Sequence, residues 1–117
     1  IRGAITVDAN EEKLILDATI VLLTEIVAVN RFNPEDIACV WVTVTQDLDA
    51  TFPARAIRQM AGWELVPLMC SLEIPVKGSL ERCVRLMVLV NTEASQTEIR
   101  HVYLGGARTL RPDLSAK

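Results

Sequence analysis

The chemistry in this sequence is carried by arginines in awkward places. Arg85 sits midway along "RCVRLMVLV", residues 82–90, a run with the two-residue alternation of a strand. Val84, Leu86, Val88 and Val90 form one apolar face, while Cys83, Met87 and Leu89 surround Arg85 on the other. A guanidinium keeps its charge at every relevant pH, so burying it without an anion is costly. An external anion is one solution; a solvated face or an internal carboxylate partner are the others. Arg55 and Arg58, at i and i+3, share a flank of a short helix away from Ala54 and Ile57. An anion relieves their mutual repulsion, although two solvated arginines are the plainer reading.

Other candidates are weaker taken singly. Glu73 ends an apolar strand beside Ile74, where its carboxylate either accepts a hydroxyl hydrogen bond or faces solvent. Cys70 reads as a small buried hydrophobe rather than a nucleophile, with no histidine near it in sequence. Tyr103 shares a helical face with Ile99 and Val102, its hydroxyl reaching a partner at the edge of the core. Arg2, Arg108 and Arg111 are strand or tail arginines. The basic residues are nine Arg against three Lys, a bias toward planar, bidentate recognition of carboxylate or phosphate.

Much is excluded. There is no G-x-x-x-x-G-K, no G-x-G-x-x-G and no G-x-S-x-G, so nucleotide binding and serine hydrolysis lack their usual carriers. Cys39, Cys70 and Cys83 form no C-x-x-C pair, and with His101 as the single histidine no metal site is expected. Scattered cysteines in odd number suggest reduced thiols and a cytoplasmic location. A net charge of −3 argues against a nucleic-acid partner. The most apolar segment, 14–29, is interrupted by Asp17, Thr19, Thr24 and Glu25, so no membrane span is expected.

The elements that must position these residues follow from pattern. At 117 residues with half of them apolar, one domain over 1–117 is expected. "IRGAITV" (1–7) reads as a strand, and Asn10 offers an N-cap for a helix over 11–29 whose apolar set exceeds one core-facing stripe. A strand over 37–45 follows, then a short helix from Pro53 to Gly62 and a strand over 64–72, with Pro67 marking an edge or bulge. After the Arg85 strand, "SQTEIRHVYLGG" reads as a helix capped by Ser95 and stopped at Gly105 and Gly106, and "ARTLRPDL" as an extended end. The order β-α-β-α-β-β-α-β gives an α/β (α+β mixed) fold. The residues themselves imply an anion-binding domain and no more.

Three blocks taken together carry a resemblance: "IRGAITV", "DLDATFPARAIRQMAGWELVPLMC" and "RCVRLMVLV…IRHVYLGGARTLRPDL". They resemble the AroH-type chorismate mutase family over essentially the whole chain. That resemblance implies a Claisen rearrangement of chorismate to prephenate, in aromatic amino-acid biosynthesis, with no cofactor and no covalent intermediate. It further implies a pseudo-α/β-barrel homotrimer with active sites at the subunit interfaces. By motif position, Arg85 is the cation beside the breaking ether bond, Arg2 binds a carboxylate and part of the ether region, and Glu73 takes the ring hydroxyl. Tyr103 holds a carboxylate, and Cys70, with Leu68 and Met69 before it, lies beside the ring. Phe52, Ala54 and Arg58 come from the facing subunit; Arg58 binds carboxylate, while Arg55 contributes field. Leu110 and Arg111 belong to a tail that orders over the site. A catalytically silent trimer that senses a small carboxylate is the alternative from another class. A RidA-like enamine or imine deaminase, another trimer with interfacial arginine, lacks the "RHVYL" and "LRPDL" matches.

Overall fold

The structure, a computed structural model, describes residues 1–115. Five strands form one mixed sheet: β1 (Arg2–Thr6), β2 (Ile37–Val44), β3 (Leu68–Leu72), β4 (Cys83–Val90) and β5 (Val102–Leu104), in the order β3-β2-β4-β1-β5. β4 runs antiparallel to both β1 and β2, while β3 is parallel to β2 and β5 is parallel to β1. The helices α1 (Glu12–Asn30) and α2 (Ala54–Arg58) cover one face.

That face is the apolar one. Ile15, Leu22, Leu23 and Ile26 of α1 are fully buried against Val40, Val42, Val84, Leu86 and Val88. Each such side chain contributes about 1.5–3 kcal/mol of burial. Thr19 shares the buried stripe because its hydroxyl donates to the Ile15 carbonyl at 2.7 Å, leaving no polar group unpaired. Val21 and Ile20, part of the surplus apolar set, stay exposed on the outer side of α1. No helix among the described residues is long and apolar enough to cross a membrane.

Asn10 does not cap α1. Its side chain instead accepts from the Asp49 and Ala50 amides at 3.1 Å each and donates to Asp49, holding the loop that leads to α2. β3 is shorter than 64–72: Val66 turns back to the Trp63 carbonyl, and pairing with β2 begins at the Pro67 carbonyl, which accepts from the Val40 N–H at 2.9 Å, on an edge strand that tolerates the missing Pro67 N–H.

The largest departure from the sequence pattern is the segment after β4. Ser95 and Glu98 close a local turn instead of capping a helix, and Val102–Leu104 becomes β5. β1 would otherwise expose its outer edge of N–H and C=O groups, and β5 satisfies them. The stretch expected to be extended is a 3-10 turn (Gly105–Thr109) followed by α3 (Pro112–Ser115). Gly105 adopts φ 59°, and the turn lies so close to β1 that a Cβ there would meet the Thr6 hydroxyl at 2.7 Å. Pro112 stands at the first position of α3, where its missing N–H costs nothing.

Candidate active site

Strand alternation sorts the candidate residues onto two faces. Arg85 lies opposite Ala4 of β1 and Thr43 of β2, and Arg2 lies opposite Met87. Tyr103 is in register with Ala4. Arg2, Tyr103, Arg85, Met87, Leu89, Cys39, Trp41 and Thr43 therefore share the face turned away from α1. Where the 3-10 turn covers this face, Ala4, Cys83, Tyr103 and Ala107 form a small second core with Leu80 and Leu110. Beyond it the sheet is open, and Trp41, Met69, Met87 and Leu89 are exposed.

A cavity of about 460 Å³ lies on this open face, lined by Arg2, Thr43, Glu73, Arg85 and Tyr103 with Cys39, Trp41, Met87 and Leu89. Glu73 follows the last residue of β3, its amide donating to the Val44 carbonyl at 2.9 Å. From there its carboxylate accepts from Arg85 Nη1 at 3.3 Å and from the Thr43 hydroxyl. The internal carboxylate thus answers the partner question that Arg85 poses, in a single, long contact. The two side chains are 38% and 24% exposed, so the pair is worth no more than about 1 kcal/mol. A guanidinium has five N–H donors, and most of those of Arg85 stay available.

Two further residues that line the same cavity have side chains without a hydrogen-bond partner among the described residues. The Arg2 guanidinium makes no hydrogen bond or ion pair; its backbone N–H donates to His101 Nδ1 at 2.9 Å. The Tyr103 hydroxyl is buried and unpaired, on a strand and not on the helical face shared with Ile99 and Val102 that the pattern suggested. An orphaned buried phenol O–H is unfavourable until a partner arrives. Burial pushes the Cys83 thiol up to about 11, only partly offset by Arg85, so it is an inert neighbour. Among the described residues no group of His, Cys, Asp and Glu could hold a metal.

The remaining candidates do not join this cluster within one chain. Leu68 and Cys70 alternate to the helix side of β3, and Cys70 is exposed, not buried as its type suggested. Met69 shares the open face but stands at the sheet's edge. Ala54 is buried against the core, while Phe52 is largely exposed just before α2. Arg55 pairs with Glu12 and donates to the Thr51 hydroxyl at 2.9 Å. Arg58 is exposed and has no partner among the described residues. The sheet stands between Arg58, carried by α2, and Arg85. Leu110 borders a smaller cavity of about 250 Å³ that also touches Glu73 and Arg85. Arg111 is engaged by Asp113 at 3.1 and 2.9 Å; residues 116 and 117 of the tail lie outside the described residues. Thr43, Trp41 and Cys39 were not singled out by type, yet the alternation of "IACVWVTVT" already placed them on one face.

One chain therefore presents a carboxylate, two guanidiniums and a phenol around an open cavity, suited to a small polyanion that carries a hydroxyl group. A family model described as chorismate mutase type I matches residues 1–114. The chain is 46% identical over 115 residues to the chorismate mutase AroH of Bacillus subtilis (strain 168), covering 98% of this chain and 91% of that protein. It is also 46% identical to chorismate mutase AroH of Thermus thermophilus, covering 99% and 95%. A solved chorismate mutase from Clostridium thermocellum superposes with a TM-score of 0.90 at 49% identity, covering 93% of this chain and 96% of that one.

Proposed function

The chain belongs to the type I chorismate mutase family, and on that premise we propose that Arg85, Arg2, Glu73 and Tyr103 convert chorismate to prephenate by holding charge in place. The activity is that of a chorismate mutase, a step of aromatic amino-acid biosynthesis. The observation that carries the residue assignment is the convergence of these four side chains on one open cavity.

The reaction is a Claisen rearrangement, in which an ether C–O bond breaks as a C–C bond forms within one molecule. No side chain must exchange a proton, and no cofactor enters. What the protein adds is selection of the compact reactive conformer and stabilisation of developing charge. Negative charge grows on the ether oxygen in the transition state. Arg85 beside that oxygen stabilises the transition state more than the ground state, which is the condition for raising kcat. Arg2 takes a substrate carboxylate and part of the ether region, Glu73 the ring hydroxyl, and Tyr103 a second carboxylate. The unpaired state of the Arg2 guanidinium and the Tyr103 hydroxyl supports this assignment.

Arg58, Phe52 and Ala54 come from a second copy in a homotrimeric pseudo-α/β-barrel, while Leu68, Met69 and Cys70 lie beside the ring and Arg55 adds to the field. Leu110 and Arg111 close over the site from the tail. The exposed apolar residues beside Arg85, together with a sheet that separates Arg58 from it, support an interfacial site. The enzyme acts as one domain over 1–117 in the cytoplasm.

The test is to mix purified protein with chorismate and follow the loss of its absorbance, with nothing else added and the assembly state measured by sedimentation. Rapid conversion to prephenate is expected. No acceleration over the uncatalysed rate in a confirmed trimer would refute the proposal, and tight binding without turnover would favour a carboxylate sensor.

A further inference from the structure

Thr43 has no place in the proposed chemistry, yet it touches a residue that does. It lies in β2, in register with Arg85 of β4 on one side and Ser71 of β3 on the other. Its hydroxyl donates to Glu73 Oε2, while Arg85 Nη1 reaches the other oxygen, Oε1, at 3.3 Å. The carboxylate is thus shared between a neutral donor and a cation, one oxygen each.

We infer that Thr43 is a positioning residue: it holds the Glu73 carboxylate turned so that Arg85 keeps its charge for the substrate. This rests on the roles proposed above for Arg85 and Glu73. A free carboxylate beside a guanidinium prefers two parallel N–H···O bonds of about 2.7–2.9 Å. The observed contact is single and longer. Thr43 is β-branched and therefore stiff at χ1, and its strand is paired on both sides, so the hydroxyl is a fixed anchor. The Glu73 amide bond to the Val44 carbonyl pins the carboxylate's stem next to that anchor. Without the hydroxyl, Oε2 is released and the carboxylate can rotate onto Arg85 as a bidentate pair. Two donors are then occupied and the cation is neutralised where transition-state charge would develop.

The test compares Thr43→Val, which keeps the shape and removes the hydroxyl, with Thr43→Ser, which keeps the hydroxyl. Turnover is followed on chorismate for both, alongside the parent enzyme, with thermal melting measured for each. A hydrogen bond to a charged group predicts a loss of about 10-fold to 100-fold in kcat/KM for Thr43→Val. The loss falls mainly on kcat, since Arg85 acts in the transition state. Thr43→Ser recovers most of it at a melting temperature close to that of the parent. Turnover by Thr43→Val within about twofold of the parent overturns the inference, as does a Thr43→Ser enzyme no better than Thr43→Val. A parent enzyme inactive on chorismate refutes the assigned roles themselves, an outcome visible before any variant is compared.

Discussion

If each site draws Arg85 from one chain and Arg58 from its neighbour, two dead enzymes should make a live one. Arg85 lies on the open face of the sheet and α2, which carries Arg58, packs on the other, so one chain cannot bring the two arginines together. Arg85→Ala should lower kcat by about 10²–10³, the scale for deleting a preorganised donor. Arg58→Ala should cost about 1.5–3 kcal/mol, roughly 10-fold to 150-fold, for a charge-assisted bond to a carboxylate. Co-expression with two different tags and purification through both yields only mixed trimers. In a cyclic trimer of either composition, the neighbour relation gives one site that has both arginines and two that lack at least one. Mixed trimers should therefore show about one third of the wild-type kcat, well above either parent assembly. If both arginines of a site came from the same chain, mixing would create no intact site at all. Mixed trimers no more active than the average of the two parents would refute the shared site.

Four other outcomes follow from the structure and the proposed chemistry. Burial raises the Cys83 thiol from 9.0 to about 11; the thiol form is favoured in the fold, so its contribution is complete below pH 9 and is lost as pH rises from 9 through 11. That loss is about 2–3 kcal/mol, and denaturant midpoints between pH 8 and 10.5 should fall more steeply in the parent than in Cys83→Ala. Burial, and next the Arg2 charge, lowers His101 below 6.5, so its contribution is complete above pH 6.5 and is lost as pH falls through the lower folded value. Melting temperatures from pH 7 to 5 should decline less in His101→Gln, while turnover stays flat around neutrality because no proton transfer is required; a bell centred near pH 7 would point to an acid–base step. A Cβ on Gly3 would sit 2.6 Å from Ile26 Cδ1 and 3.1 Å from Leu22 Cδ1, both fully buried. Gly3→Ala should lose about 1–3 kcal/mol by overpacking, and an unchanged unfolding midpoint would show that the core yields freely there.

Legibility varied with how local the deciding force was. β4 was readable because its periodicity alone assigns faces, and the same alternation left Arg85 on the sparsely covered side; α1 was readable as a helix, but its surplus of apolar residues did not say which of them face the core. β5 was not, because residues 99–104 suit a helix as well as a strand, and the deciding factor was the unpaired edge of β1, about a hundred residues away in sequence. Asn10 had the type of a cap, but its side chain serves the loop at Asp49 and Ala50, a contact that sequence spacing cannot reveal. The need of Arg85 for an anion was legible from its apolar neighbours. That Glu73 would supply a partial partner was not, since twelve residues and a loop separate them. Thr43 was the least visible, an ordinary strand threonine until the carboxylate appears beside it.

In the proposed chemistry a rigid, correctly placed cation on β4 does the catalysis. Turnover of Arg85→Lys at saturating chorismate probes that role, because charge is kept while the planar fork and its placement are lost. The half-exposed pair with Glu73 contributes little stability, so the variant should melt near the parent's temperature and the comparison is clean. A fall in kcat of at least about 10² is predicted. Near-normal turnover would contradict that role, because positive charge anywhere near the cavity would then suffice.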